Sequence, residues 1–176
     1  AQLGEQLKYI HALPAAGKFK TDESWPTLDI KAAAHQSSLP KHLILQIDDF
    51  MKTLEPFDRV FVNGDMVSMH VFVKDGNLSG IIDWGDAVVT DRHYEVAKLC
   101  LSSFPGDKVL LKTLIDAANW PITNNFAKQT LGMALYRQAV GLTQHNSFDI
   151  FWQLPEELGL EKIQSLDEYA KVLFTI

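Results

Sequence analysis

One cysteine, Cys100, stands alone in 176 residues, so no disulfide can form within the chain. A lone thiol suits a reducing compartment and points to the cytoplasm. Cys100 lies in the apolar run 96–101, where it reads as a small core residue rather than a nucleophile. Excess positive charge is also missing. A formal net charge of −6 and a pI near 5.4 argue against nucleic acid as a partner, because such binders need a basic face to displace counterions. No stretch is long and apolar enough to span a membrane. The opening Ala1-Gln2-Leu3-Gly4-Glu5 lacks the basic and apolar regions of a signal peptide. An initiator Met is absent too, as expected for an excised or processed piece. Internal repeats, low-complexity tracts and linkers are lacking, which predicts a single domain over residues 1–176. The histidines at 35, 42, 93 and 145 have no metal-like spacing with Cys100, so no zinc site is expected, and His11 reads as structural. Nothing in the sequence fixes the oligomeric state.

What is present is ordinary in bulk and specific in one place. Apolar residues make up 47% and charged residues 22%, enough for a sizeable core. Leu3, Leu7 and Ile10 follow helical spacing until Pro14. A polar connection at 17–24 leads to a short helix expected over 25–36. A clearer one opens at Pro40, with Leu43, Ile47, Phe50, Met51 and Leu54 on one side, and Pro56 ends it. Residues 59–62 and 71–73 are β-branched or aromatic. Lys74-Asp75-Gly76-Asn77 is a turn whose Asp-Gly supplies positive φ, and 78–82 is the returning strand. Helices are expected near 91–102, 107–119, 124–144 and 166–174, with Gly132 and Gly141 weakening the third. Ser165 and Glu168 form a capping box for the last. The outcome is an α+β layout: mostly helical, with one small antiparallel hairpin.

Chemistry-bearing residues gather around that hairpin. Asn63-Gly64-Asp65 precedes it, His70 enters it, and Asp83-Trp84-Gly85-Asp86 follows it. A hairpin folds the chain back, so Asp65 and Asp83 become neighbours in space. Two carboxylates so placed suit phosphoryl transfer, one as proton acceptor and one as a Mg²⁺ ligand, with His70 the available third ligand. Gly64 and Gly85 are expected to allow close backbone approach or positive φ.

The run Val62-Asn63-Gly64-Asp65-Met66-Val67-Ser68-Met69-His70-Val71-Phe72-Val73 resembles the catalytic loop of the aminoglycoside phosphotransferase family, which reads His-Gly-Asp, four residues, Asn, then an apolar strand. Gly80-Ile81-Ile82-Asp83-Trp84-Gly85-Asp86 is similar to the family's Ile-Asp-Trp metal motif. Thr90-Asp91-Arg92-His93-Tyr94-Glu95-Val96-Ala97 resembles its Gly-Asp-Pro, Tyr-Asp-Leu-Ala segment. The matches, with looser ones reaching back to Leu3, cover about half the chain. The resemblance implies the C-terminal lobe of a protein-kinase-like fold and transfer of a phosphoryl group from ATP, with Mg²⁺, to a hydroxyl of an aminoglycoside or related amino-alcohol or sugar. It implies Asp65 as catalytic base and Asp83 as metal ligand. Asn63, Gly64, Trp84, Gly85 and Asp86 support the loop or face the substrate. Asp149, Glu156 and Glu157, in the late segment 147–157, would attract amines in the acceptor pocket.

Departures from the pattern carry their own expectations. Asn63 replaces the motif's His, and Asn can supply some of its bracing hydrogen bonds. His70 stands where the Asn ligand sits. Imidazole is softer than an amide oxygen, so weaker Mg²⁺ binding or a preference for Mn²⁺ follows. Arg92 replaces Pro. No Gly-rich loop or strand Lys of a nucleotide-covering N-terminal lobe precedes the first helix. The alternative to an enzyme is therefore a catalytically impaired or truncated kinase-like module that binds a ligand or partner.

Overall fold

The computed structural model describes residues 1–14 and 19–176. Residues 17 and 18, which open the polar connection expected at 17–24, lie outside the described residues. Helix α1 spans Gln2–His11 and buries Leu7 and Ile10, two of the three apolar positions read from the sequence, together with Gly4, while Leu3 is half-buried against the core. Strand β1 is Lys20–Thr21. The single helix expected at 25–36 is a 3-10 turn, Trp25–Thr27, followed by α2, Ile30–Ala34. Pro26 sits inside the turn, and the Asp29 carboxylate accepts from the Ala32 amide at 2.8 Å, starting a fresh helix. The helix expected from Pro40 is also divided, into α3, Lys41–Ile44, and α4, Ile47–Met51. At the break, the Gln46 side chain bonds to Gln164 O and the Leu166 amide, tying it to the start of α8, Leu166–Phe174.

Strand β2, Arg59–Val62, leads into the site. Strands β3, Val71–Lys74, and β4, Asn77–Ile81, form the expected hairpin, with Asp75 and Gly76 at φ 51° and 75°. Strand β5, Val88–Asp91, was not expected. It lies between β1 and β2, parallel to the first and antiparallel to the second. Asp91 therefore ends a strand and does not begin a helix. Its buried carboxylate accepts from the amides of Asp58 and His93 and from the Gln129 side chain.

Helices α5 (His93–Ser103), α6 (Lys108–Ala117) and α7 (Phe126–Gln144) follow. Asp107 caps α6 through the amides of Val109 and Leu110, and Ser165 caps α8 through the Glu168 amide. Helix α7 is the axis of the core, with α2, α5 and α8 packed around it. Its two glycines have a reason to be there: side chains at 132 and 141 would run into Leu54 and the Phe148 ring.

Candidate active site

Two ladders frame the site. Val62 of β2 pairs with Val88 of β5, so residues 63–87 leave and rejoin the sheet at one point. Within that excursion, β3 and β4 pair from Val71–Ile81 outward. The first half of the loop is thereby held against the second.

The structure brings Asp65, His70 and Asp83 together. His70 lies between the two carboxylates, with Nδ1 3.8 Å from Asp65 Oδ2 and Nε2 3.6 Å from Asp83 Oδ2. Nδ1 is also 2.9 Å from the Asp65 carbonyl, which can only accept, so Nδ1 carries the proton. In the neutral ring Nε2 then presents a lone pair to a carboxylate oxygen. Nε2 and Asp83 Oδ2 are thus two acceptors facing each other at 3.6 Å, an arrangement that suits a cation. Asp83 holds a left-handed backbone at φ 58°, a conformation that costs a non-glycine residue about 1–2 kcal/mol.

Asn63 braces both halves. Its side-chain amide donates to Asp83 O at 2.9 Å, its Oδ1 accepts from the Asp65 amide at 3.1 Å, and its own amide donates to Glu95 Oε2 at 2.6 Å. Glu95, on α5, is fully buried beneath the loop. Burial pushes its carboxyl up to about 7, while the amides of Asn63 and Gly64 pull the other way. Gly64, at φ 84°, lies so close to Asp86 that a Cβ would strike the Asp86 carbonyl. Gly85 differs from expectation. Its φ is not positive and a Cβ would meet only Asp83 Oδ1, at 3.6 Å, so neither close approach nor conformation requires glycine there. Trp84 stacks on Phe61 with a ring separation of 6.0 Å and donates from Nε1 to Ile81 O.

Three charged residues at the site went unnoticed as site residues in the sequence. Lys98 Nζ and Arg137 Nη2 each reach Asp65 Oδ1, both at 3.1 Å. Oδ2, on the His70 side, is left for other partners. Arg137 also binds Asp86 Oδ2 at 3.3 Å, and Gln144 binds Asp86 Oδ1 at 3.3 Å. Both cations lie over the Phe148 ring, at 4.8 Å for Arg137 and 5.5 Å for Lys98. Burial pulls the Lys98 ammonium below its ordinary value, with the Asp65 charge opposing. Arg137 offered a signal: it is the one arginine in an apolar stretch of α7. Glu95, the third, lies within the family-like segment 90–97, where nothing local marks it as a brace for the loop. Lys98 had no signal beyond following it by three positions.

The late acidic residues fall elsewhere. Both oxygens of Asp149 are engaged, Oδ2 by the amide and hydroxyl of Ser38 and Oδ1 by the Phe151 amide, though it does line a cavity that Lys98 also lines. Glu156 and Glu157 lie exposed on a 3-10 turn, Glu156–Leu158, with no polar contact to the site among the described residues.

Asp83 and His70 fit a divalent cation as a two-donor set. Mg²⁺ is commonly held by one or two protein ligands, the rest coming from phosphates and water. Among the described residues no group of three or more His, Cys, Asp or Glu side chains is arranged to hold a metal ion.

Residues 1–128 match the family model of the phosphotransferase enzyme family, APH. Over 63 residues the chain is 40% identical to an aminoglycoside 3'-phosphotransferase of Enterococcus faecalis and 38% identical to one of Staphylococcus aureus. Each match covers 35% of this chain and 24% of the relative. Among solved structures it is similar to macrolide 2'-phosphotransferase MphH from Brachybacterium faecium, with TM-score 0.61 and 15% identity over 99% of this chain and 59% of that one. It is also similar to an aminoglycoside-3'-phosphotransferase of type VIII, with TM-score 0.53 and 15% identity over 79% of this chain and 58% of that one. The chain thus spans less than two thirds of these proteins. With the family model matched over residues 1–128 and the α+β fold shared with both solved structures, the chain belongs to the APH phosphotransferase family.

Proposed function

We propose that the chain is the site-bearing lobe, a single domain, of an enzyme that moves the γ-phosphoryl group of ATP to a hydroxyl of a small molecule. The carrying observation is the Asp65–His70–Asp83 constellation, with Asp65 Oδ1 anchored by two cations and Oδ2 turned toward His70. A hydroxyl approaching Oδ2 gives up its proton there as its oxygen forms the new bond to phosphorus. The bond between that phosphorus and the bridging oxygen breaks, and ADP leaves with the electron pair. Lys98 and Arg137 hold Asp65 fixed in direction. Asn63 and Glu95 hold the loop so that Asp65 and Asp83 stay in register.

Asp83 and His70 would hold Mg²⁺, or Mn²⁺ given the imidazole, which would supply neutralisation of phosphate charge. The activities by which the relatives are named, aminoglycoside 3'- and macrolide 2'-phosphotransferase, support a small-molecule antibiotic or a related amino-alcohol or sugar as acceptor. A cytoplasmic setting belongs to this reading, supported by the ATP requirement and the single buried thiol. Transfer of label from γ-labelled ATP to hydroxylated small molecules by the full-length protein tests it. Label in an acceptor, dependent on added Mg²⁺ or Mn²⁺, is expected; ATP binding without transfer to any acceptor or to water would refute it.

A further inference from the structure

Beside the site is a cavity of about 440 Å³, larger than the one on the Lys98 side. Asp86 and Arg137 form part of its wall, and Arg137 is in turn 3.1 Å from Asp65. A molecule in this cavity is therefore one side chain away from the proposed base.

Its chemistry is legible from the lining. Trp25, Leu28, Val88 and Val140 give an apolar wall. Thr21, Ser24, Thr27 and Thr143 contribute hydroxyls. Among the described residues, the charged ones in the lining are two cations, Lys20 and Arg137, against one carboxylate, Asp86. That carboxylate is engaged through both oxygens, by Arg137 and Gln144. On the other flank of Asp65, the cavity lined by Lys98 has Asp149 as its carboxylate, likewise engaged through both oxygens. An acceptor bearing several ammonium groups needs carboxylates to replace its lost hydration. Among the described residues neither flank has a carboxylate without partners, and the larger carries a formal surplus of positive charge.

We propose that the cavity beside Asp86 takes a neutral, hydroxyl-rich acceptor with an apolar face, a sugar or glycoside, in preference to a polyamine. The proposal rests on the phosphotransferase reading and narrows its acceptor. The apolar wall accepts the carbon-bound hydrogens of a pyranose ring, and the threonine and serine hydroxyls exchange hydrogen bonds with its own.

Binding and transfer are measured separately on the full-length protein. Phenyl β-D-glucoside and kanamycin A serve as probes, followed by saturation-transfer NMR and by transfer from γ-labelled ATP. The glucoside is expected to bind at least tenfold more tightly than kanamycin. Thr143→Trp, which fills the cavity from an exposed rim position, is expected to abolish that binding. The double substitution Thr27→Glu with Thr143→Glu is expected to turn the preference toward kanamycin by tenfold or more. Tighter binding of kanamycin by the unaltered protein, binding of neither probe, or indifference to the rim substitutions would overturn the acceptor assignment. Kanamycin phosphorylation would overturn it while leaving the phosphotransferase reading intact. Glucoside binding without transfer to any acceptor would do the reverse.

Discussion

Gly64 and Gly85 flank the two carboxylates with the same side chain and different physics. At Gly64 the backbone is left-handed and the Asp86 carbonyl occupies the space of a Cβ. Gly64→Ala is expected to lose at least ~2 kcal/mol in urea unfolding, from conformational strain and the forced displacement of residue 86. Gly85→Ala meets only Asp83 Oδ1 at 3.6 Å and is expected to lose less than ~1 kcal/mol. Equal losses would contradict this account of the loop. The sequence showed both glycines but not which one the geometry requires, because that depends on where residue 86 returns. The same limit applies to charge. Asp65 and Asp83 were legible because a turn and a motif placed them together locally. Arg137, 72 positions from Asp65, reaches it only through the packing of α7 against the loop, and no local pattern reports that.

Elements transmit their packing to the site, and α5 does so through Glu95. Its carboxyl is pushed from an ordinary 4.5 up to about 7 by burial, so the folded state holds a proton that the unfolded chain has released between those values. The contribution is fully present below about pH 4.5 and is lost as pH rises through 7, on the order of 3 kcal/mol in all. Glu95→Gln keeps an acceptor for the Asn63 amide and cannot ionise. Its stability is expected to fall less between pH 5 and pH 8 than that of the unaltered protein, measured by urea midpoints across that range; parallel pH profiles would contradict the assignment. Helix α7 acts through Gly141, where Phe148 packs against the bare backbone and carries Arg137 over its ring. Alanine is the better helix former by about 1 kcal/mol. Gly141→Ala is nevertheless expected to destabilise, because the displaced ring pushes on the Arg137–Asp65 pair; a higher melting temperature would refute this packing. Most helices and the β3–β4 hairpin were readable from apolar spacing and turn chemistry. Strand β5 was not: four residues, Val88–Asp91, are too few to show a period, and their strand identity comes from neighbours on both sides. The helices expected over 25–36 and from Pro40 broke where Asp29 and Gln46 found better local or tertiary partners.

At the scale of the whole molecule, Asp65 is tied to the core around α7 through Arg137, whereas the proposed cation ligands stand apart from it. The proposed cation ligands lie on a rim where the Asp83 side chain is 56% exposed, not within the core. Chelation by EDTA is therefore expected to abolish phosphoryl transfer and leave the thermal melt of the ligand-free protein unchanged. A melt lowered by EDTA would mean that a metal is structural. The role proposed for Asp65 Oδ2 is to receive the proton of the attacking hydroxyl, and Asp65→Asn removes that capacity while keeping the shape. Single-turnover transfer from γ-labelled ATP, compared between the full-length protein and its Asp65→Asn variant at matched nucleotide saturation, tests it. The variant is expected to be slower by about 10²-fold or more with nucleotide affinity unchanged; an undiminished rate would contradict the role given to Asp65.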